Sequence, residues 1–408
     1  MWGDDGHRTQ ATQGRLRTWG TTALVAVMVA PVIAFAHGTQ SPKAREHQHH
    51  KAAHQANHGQ GRHGAQGAHG VRAQHGPATK RQPHGVWASL VPAHPADGRL
   101  RRHHVHDTRA EPQVRPISTV RAPEATWSRY MTTVDTRRMR RLGCELGARV
   151  HRGHETGDSL VVLAFGMPMH HRGRFGASLF GHFANSKKIG AGAVAFGRGF
   201  GHCVRDVRGH LTLSIGTSNY GHDVTYRHGR IWASMVNRTN RVLRSWGLAN
   251  TVVVTGGNDI EPGWRGPEVT RRWIRGYKSV TSTPYFNFGG AAGCPPIGFC
   301  QGDWTIEDIW YAAWGSGVAL PLPEIYSNTG SNAEQWYRLS LYSYKAHGQR
   351  MDIAGVMSQL QSCWDQHDRC RGIRNPPNKS WSQLWHALNK DPRTAQPLRF
   401  STNITWQN

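Results

Sequence analysis

Two carboxylates stand two residues apart at the end of an apolar run. The sequence from Thr251 to Thr255 has the composition of a buried strand, and Asp259 and Glu261 follow it closely. In an extended chain alternate side chains share a face, which places both carboxylates on one side with backbones roughly 6.6 Å apart. Acids this close raise each other's pKa, so one keeps a proton while the other ionises. Glycoside hydrolysis needs such a proton donor and such an anion.

A third acid, Glu324, lies at the end of another apolar run, in Leu-Pro-Leu-Pro-Glu-Ile-Tyr. We expect Glu261 to act as general acid, Asp259 to orient or tune it, and Glu324 to serve as the second carboxylate. A separation of about 5.5 Å between Glu261 and Glu324 would permit a retaining double displacement, whereas about 6.5 to 9.5 Å would admit a water molecule and cause inversion. The structural alternative is that the pair at 259 and 261 forms ion pairs with nearby arginines. These are Arg265, Arg271 and Arg272.

Aromatic and amide side chains follow the same predicted strand ends. Flat rings can cover a sugar face, and neutral amides can bond its hydroxyl groups. The residues predicted to bind substrate are Asn219, Tyr220, Trp264, Asn287, Trp304 and Tyr326. The alternative is that the rings pack in the core and the amides close turns.

Predicted strands and helices alternate along the C-terminal two thirds of the chain. Strands are expected at 159–166, 211–217, 251–255, 285–288, 318–325 and 351–356, with a seventh near 398–401. Helices are expected at 134–150, 224–248, 267–280, 306–314, 332–347 and 381–389, and the Gly/Ala-rich segment 183–204 is expected to be helical or irregular. Alternation requires parallel pairing, in a doubly wound sheet or a (β/α) barrel. No glycine-rich phosphate fingerprint follows the first strand, which favours a TIM-like barrel, incomplete or irregular because eight strands are needed.

Three segments match a helix-capping box or a close variant of it. In this motif a side-chain oxygen accepts from an exposed amide and an acid or amide three residues later reaches back. The segments begin at Thr305, Ser331 and Ser380.

The first 126 residues differ in composition from the rest. Residues 1–36 have the pattern of a signal peptide, with Arg8, Arg15 and Arg17 before an apolar run that closes on Ala34-Phe35-Ala36. An uncleaved anchor is the alternative, but the run of 16 residues is short for a membrane span. Residues 37–126 are rich in His, Gly and Arg, and predict a disordered linker because they lack apolar side chains to bury. The barrel domain is expected at 127–408.

The linker contains repeated His-Gly pairs, from His58-Gly59 to His75-Gly76. Imidazole groups in such a tract could bind Zn, Ni or Cu ions. A spacer with incidental metal affinity is the favoured interpretation, and no metal or cofactor is predicted for the barrel.

Six cysteines in an exported chain indicate disulfides, because an oxidising compartment lets them persist. None has the paired spacing of a zinc site. The predicted bridges are Cys144–Cys203, Cys294–Cys300 and Cys363–Cys370.

The chain is strongly basic, with 50 Lys and Arg residues and 25 Asp and Glu residues. Residues 127–408 alone hold 34 basic and 18 acidic residues. Such a charge suits anionic polymers and surfaces, but no nucleic-acid motif accompanies it, which favours a solvated basic surface. The expected partner is a polysaccharide or cell-wall polymer. Nucleic acid is not expected, nor is a membrane span after signal cleavage.

Five motifs between residues 159 and 406 resemble a group of secreted, mostly uncharacterised bacterial proteins with glycoside-hydrolase-like barrels. They are Gly216-Thr217-Ser218-Asn219-Tyr220-Gly221, Asn258-Asp259-Ile260-Glu261-Pro262-Gly263-Trp264, Ala292-Gly293-Cys294-Pro295-Pro296, the segment 304–311 and Leu322-Pro323-Glu324-Ile325-Tyr326. More distantly, the Asp-x-Glu at a strand end is similar to the acidic pair of barrel lysozymes and chitinase-type enzymes. That resemblance covers Asp259 and Glu261 and implies a polysaccharide with N-acetylated sugars.

Two classes of function are therefore expected, beside a third possibility in which the His tract handles metal and the barrel carries it. The first is a secreted glycoside hydrolase-like enzyme of the cell wall, and the second is a non-catalytic surface protein that binds glycan in the same barrel. Other hydrolase chemistry lacks its motif, since neither G-x-S-x-G nor H-E-x-x-H occurs at the candidate segments.

Overall fold

The structure is a computed structural model that describes residues 120–153, 158–205, 209–291, 294, 300–366, 370 and 372–406. The predicted signal peptide at 1–36, the His-Gly repeats and most of the predicted linker lie outside these residues. All six cysteines lie within them.

Eight parallel strands form one sheet that is nearly closed into a barrel. They are β1 (Thr126–Tyr130), β2 (Asp158–Ala164), β6 (His210–Thr217), β7 (Val252–Asn258), β8 (Tyr285–Asn287), β9 (Ala319–Pro321), β10 (Gly355–Ser358) and β11 (Phe400–Thr405). Neighbours pair in the order β10-β11-β1-β2-β6-β7-β8-β9. A parallel bridge between Glu324 and Met357 then joins the chain after β9 to β10. This is the (β/α) architecture that the sequence pattern predicts.

Helices pack around the sheet and connect the strands. They are α1 (Thr136–Gly153), α2 (Ser186–Val204), α3 (Tyr226–Ser245), α4 (Pro267–Lys278), α5 (Ile306–Trp310), α6 (Ser331–His347), α7 (Leu360–Asp365) and α8 (Pro377–Asn389). A π-helical turn, Tyr311–Gly315, continues α5. None of the helices in the described ranges is long and apolar enough to cross a membrane.

Strand β2 illustrates how the sequence divides the core into two layers. Leu160, Val162 and Ala164 belong to the cluster inside the barrel, whereas Val161 and Leu163 belong to the cluster between sheet and helices. Successive side chains of a strand point to opposite faces, so a continuous apolar run is required where both faces are buried. This explains the unbroken runs of Val and Leu in β2 and of Val in β7.

Two features differ from the sequence-based expectation. The eighth strand is β1, which starts at the end of the predicted linker and pairs with both β11 and β2. An antiparallel sheet of β3 (Met167–His171), β4 (Arg174–Ser178) and β5 (Phe183–Asn185) lies between β2 and α2, where no strands were predicted. These strands have three to five residues, and Met-Pro-Met-His-His, Arg-Phe-Gly-Ala-Ser and Phe-Ala-Asn lack the apolar alternation that identifies a strand.

Helices α1 and α2 approach each other closely because small residues line their interface. A Cβ at Gly143 would lie 1.9 Å from the carbonyl oxygen of Phe196, so only glycine fits there. The disulfide Cys144–Cys203 joins the same two helices. The predicted bridges Cys294–Cys300 and Cys363–Cys370 are also present, so all three pairings are confirmed.

One of the three predicted helix caps is confirmed. Thr305 and Asp308 form a reciprocal capping box at the start of α5. The other two are wrong: Ser331 is already inside α6, and Ser380 lies inside α8, where its hydroxyl donates to the carbonyl of Ile325. Both helices begin at turns whose local sequence offers no side-chain cap.

Candidate active site

Two glycines, Gly256 and Gly257, precede the segment that carries Asp259 and Glu261 and lie close to neighbouring strands and rings. A Cβ at Gly257 would lie 2.3 Å from Ser214 Oγ and 3.3 Å from the ring of Phe288, which fills the interior below the acids. Glycine is therefore required at this position of β7 because neighbouring strands and the ring occupy the space.

Hydrogen bonds from backbone N–H groups fix the segment that carries Asp259 and Glu261. The N–H of Asp259 donates to the carbonyl of Thr217 (3.0 Å), and the N–H of Ile260 donates to Asn287 Oδ1 (3.1 Å). Asn287 Oδ1 also accepts from the N–H of Gly289 (3.1 Å). Asn287, which was predicted to bind substrate, is 1 % exposed and holds two loops in register.

The three predicted acids converge at the carboxyl ends of the strands. One carboxylate oxygen from each of Asp259, Glu261 and Glu324 lies within 4.8 Å of the other two. Asp259 is 3 % exposed and Glu324 is 4 % exposed, whereas Glu261 is only partly buried. Glu261 is thus the acid that a molecule outside the barrel meets first.

Burial makes all three acids hard to ionise, and repulsion from neighbouring carboxylates adds to this at Asp259 and Glu324. Burial, followed by the charges of Glu324 and Glu261, raises the pKa of Asp259 well above its usual value. Burial and the charge of Glu261 raise the pKa of Glu324 to about 8. Burial also raises the pKa of Glu261. At neutral pH the cluster therefore retains protons, as a site that donates them must.

Hydrogen bonds to Glu261 and Glu324 partly offset the rise in the pKa of these two acids. Asn219 Nδ2 donates to Glu261 Oε1 (2.8 Å), and the N–H of Gly290 donates to Glu261 Oε2 (3.3 Å). Gln359 Nε2 donates to Glu324 Oε1. Glu261 thus has two donors that favour its charged form, and one of them is Asn219, which the sequence predicts to bind substrate.

Basic side chains do not neutralise the acids. Arg271, one of the arginines considered as a partner, pairs instead with Asp308 (2.8 Å). Within the described ranges, none of the three carboxylates forms an ion pair, and Asp259 Oδ1 is buried without a hydrogen-bond partner. Among the residues that the structure describes, the arginines considered as partners of Asp259 and Glu261 form no ion pair with them.

Two tyrosines border the cluster. Burial, followed by the charges of the acids, raises the pKa of Tyr130 at the end of β1 and of Tyr326 just beyond Glu324. Both phenols therefore stay protonated and can donate a hydrogen bond. Tyr326 was predicted from the sequence, whereas Tyr130 was missed because β1 was not identified.

An aromatic platform extends from Tyr130 toward solvent. Its ring stacks on Trp406 (centroids 4.5 Å apart) and meets Phe180 edge-on (5.7 Å), and Phe180 also meets Trp406 edge-on (4.7 Å). Phe180 is 40 % exposed and has a positive φ of 56°, a conformation that is costly for a bulky residue. The chain thus accepts backbone strain where an exposed ring packs on Tyr130 and Trp406.

The remaining predicted residues are placed differently. Trp264 and Trp304 are 0 % and 1 % exposed, and the indole of Trp304 donates to the carbonyl of Arg265 (3.1 Å). Tyr220 is 63 % exposed and follows Asn219 at the surface. The structure therefore gathers Asn219, Asp259, Glu261, Glu324 and Tyr326, and places the two tryptophans in the core.

The arrangement supports proton transfer between carboxyl groups, and a ligand could stack on the aromatic platform beside them. Three carboxylate oxygens this close could also hold a divalent cation such as Ca²⁺ or Mg²⁺, which prefer oxygen ligands. No protein-family model matches the chain, and no curated protein matches it at a significant level.

Proposed function

We propose that the protein is an exported glycoside hydrolase-like enzyme that acts on cell-wall or related polysaccharide. The observation that carries the proposal is the convergence of three carboxylates, unpaired by any cation of the described residues, at the strand ends of a parallel barrel. Active sites of (β/α) barrels lie at this end. The three disulfides fit an oxidising destination.

In the proposed reaction Glu261 gives its proton to the glycosidic oxygen, because it is the acid within reach of a bound chain. Asp259 lies behind it, and its buried carboxyl group tunes the proton affinity of Glu261. Glu324, whose raised pKa keeps it protonated in the free protein, passes that proton to Glu261 when the sugar binds and then serves as the second carboxylate. Its oxygen bonds to the anomeric carbon while the bond to the glycosidic oxygen breaks, and water later hydrolyses the glycosyl ester. The oxygen separation of at most 4.8 Å supports retention, because inverting sites keep their carboxyl groups about 6.5 to 9.5 Å apart.

The aromatic platform supplies a binding surface for the sugar. Tyr130, Phe180 and Trp406 present ring faces and edges beside the acids, and sugar rings pack well on such surfaces. Hydroxyl groups of the sugar would find Asn219 and the phenol of Tyr326 nearby.

The second candidate is a glycan-binding protein without turnover. The deep burial of Asp259 and Glu324 favours it, because only Glu261 is partly open to solvent. This candidate uses the same aromatic platform and needs no proton transfer.

Turnover of labelled peptidoglycan distinguishes the two. The wild-type chain should release soluble fragments, and Glu261→Gln should slow release by about 10²-fold or more because a general acid contributes that much. Glu268→Gln is the matched control, since Glu268 is exposed on α4 and pairs with Arg275. It should leave turnover unchanged.

Binding to the same peptidoglycan is measured in parallel, by sedimentation, with Trp406→Ala as a second variant. Trp406→Ala should weaken binding and turnover together. Binding without turnover by the wild type would favour the non-catalytic candidate, and the absence of both would contradict the proposal. Repeating turnover with a chelator and with added Ca²⁺ reports whether the carboxylate group also holds a cation.

A further inference from the structure

Helix α3 carries five arginines and no acidic residue in its 20 residues. They are Arg227, Arg230, Arg238, Arg241 and Arg244, all of them exposed. Their spacing of three, eight, three and three residues keeps them on one face, because about 3.6 residues complete a helical turn. The opposite face is buried and includes Trp232, Val236 and Leu243.

This arginine row is long and uncompensated. From Arg227 to Arg244 it extends roughly 25 Å at 1.5 Å per residue. In the described part of the chain none of the five forms an ion pair, although Arg227 lies over the ring of Phe175 (5.3 Å). Like charges at such spacing repel, so the row is less stable alone than with an anion bound along it.

The surroundings of α3 add to its positive charge. The β3–β4 hairpin packs on the first turn of α3, where His228 Nε2 meets the carbonyl of Gly176 (2.9 Å), and the hairpin exposes Arg172 and Arg174. Nearby acids are already engaged: Asp223 accepts from the N–H of His170 and pairs with His222, and Glu268 pairs with Arg275.

The other basic helix, α1, is different. Its arginines are interrupted by Glu145, and Arg149 pairs with Glu124 (3.6 Å). Arg137, Arg140 and Arg141 of α1 lie together in its first turns rather than along its length. Three arginines of α1 therefore provide a control with the same charge as three arginines of α3 but without an extended row.

We propose that the arginine row of α3 binds a linear acidic polysaccharide through its carboxylate groups. Guanidinium groups pair with carboxylates in a planar, two-point geometry. Arginines confined to one face of a single helix fit a linear chain better than a flat membrane surface. Exposed Tyr226 at the start of the row offers a ring for sugar packing, which favours a polysaccharide over a polymer without sugar rings.

The arginine row begins at the rim of the barrel that carries the acids and leads away from that rim. Helix α3 follows β6, so its first turn lies at the rim where the strands end, and Arg244 lies toward the opposite end. A chain bound along the row is therefore held outside the barrel, and this binding requires no turnover. The inference goes beyond the proposed function and survives if the acids prove inactive.

The test measures the affinity of the full-length chain for polygalacturonate, a linear polymer of carboxylate-bearing sugars. The variant Arg230→Gln/Arg238→Gln/Arg241→Gln should bind about tenfold more weakly, since three exposed ion pairs are lost. Its salt dependence should also be shallower, because fewer charges remain to be screened. The control Arg137→Gln/Arg140→Gln/Arg141→Gln removes equal charge from α1 and should bind nearly as wild type.

Glu261→Gln is included and should keep full affinity, which separates this site from the acidic cluster. Equal weakening by both triple variants would mean diffuse charge only and would overturn the proposal, as would unchanged binding by the α3 variant. Double-stranded DNA and phosphatidylglycerol vesicles are assayed beside the polysaccharide. A larger loss for either of these than for polygalacturonate would assign the row to that partner and reject ours.

Discussion

Asp259 and Glu324 are buried carboxyl groups that no cation of the described residues compensates. An isolated charge in a protein core is costly, and Asp259 and Glu324 avoid this cost by keeping their protons. Glu261 shares the same space, so ionising any one of the three makes it harder to ionise the others. An arrangement that works against stability in this way is what a proton-transferring site requires.

Replacing Glu324 by glutamine should stabilise the protein at alkaline pH. The folded state binds a proton at Glu324 up to about pH 8, whereas the unfolded chain releases it near 4.5. The stability due to this proton is complete below pH 4.5 and is lost as the pH rises to 8, at up to about 1.4 kcal/mol per pH unit. Glu324→Gln removes that loss and can still accept from Gln359. Its melting temperature relative to wild type should rise from pH 5 to pH 8.

Glu334→Gln is the control for this measurement, because Glu334 lies at the surface and pairs with Arg338 and Lys390. It should give no such increase with pH. A difference between Glu324→Gln and wild type that stays constant from pH 5 to pH 8 would contradict the protonated state we assign to Glu324.

The convergence of the three acids could be predicted from the sequence, but the location of the aromatic side chains could not. Asp259, Glu261 and Glu324 follow apolar runs, and parallel strands bring their ends to one rim, so their meeting was predictable. Whether a tryptophan beyond a strand packs inward or faces solvent depends on which helix covers it. For this reason Trp264 and Trp304 were assigned to substrate, whereas Trp406 was missed.

Among the elements, the long helices and the apolar strands were predictable and the polar strands were not. Strands β2 and β7 have continuous apolar runs, and β6 alternates Leu and Ile with Thr and Ser. Strand β1, in contrast, reads Thr-Trp-Ser-Arg-Tyr and has only one buried residue. Its Ser128 hydroxyl bonds Thr402 Oγ1 (2.7 Å) and accepts from the N–H of Val162 (2.8 Å). Polar strands of this kind depend on neighbours distant in sequence, which no local pattern reveals.

The disulfide between α1 and α2 should contribute more stability than the shortest one. Cys144 and Cys203 are 59 residues apart, whereas Cys294 and Cys300 are six apart. Constraint of the unfolded chain grows with loop length, which gives about 4 kcal/mol for the first bridge and about 2 kcal/mol for the second. Denaturant unfolding of Cys144→Ser/Cys203→Ser and of Cys294→Ser/Cys300→Ser measures the difference. The reverse ranking would mean that native-state contacts, rather than loop length, determine the contribution.

At the scale of the whole molecule, the first and last strands close the sheet. Strand β1 pairs with β11 on one side and with β2 on the other, and the bridge from Glu324 to Met357 joins the remaining edges. The acids depend on this closure, since Tyr130 and Trp406 come from β1 and from the end of β11. Strands β1 and β11 therefore both close the barrel and contribute aromatic residues to the candidate site.

Shortening the chain from its beginning should be tolerated up to β1 and no further. A chain that starts at Val120 keeps every strand of the barrel, whereas one that starts at Thr132 lacks β1 and leaves the edges of β2 and β11 unpaired. Unpaired edges in a closed sheet expose backbone groups and apolar surface. We expect the longer chain to unfold cooperatively near the wild-type temperature, and the shorter chain to lose cooperative unfolding or to aggregate. Circular dichroism during heating measures both, and equal melting temperatures would show that β1 does not contribute to closing the barrel.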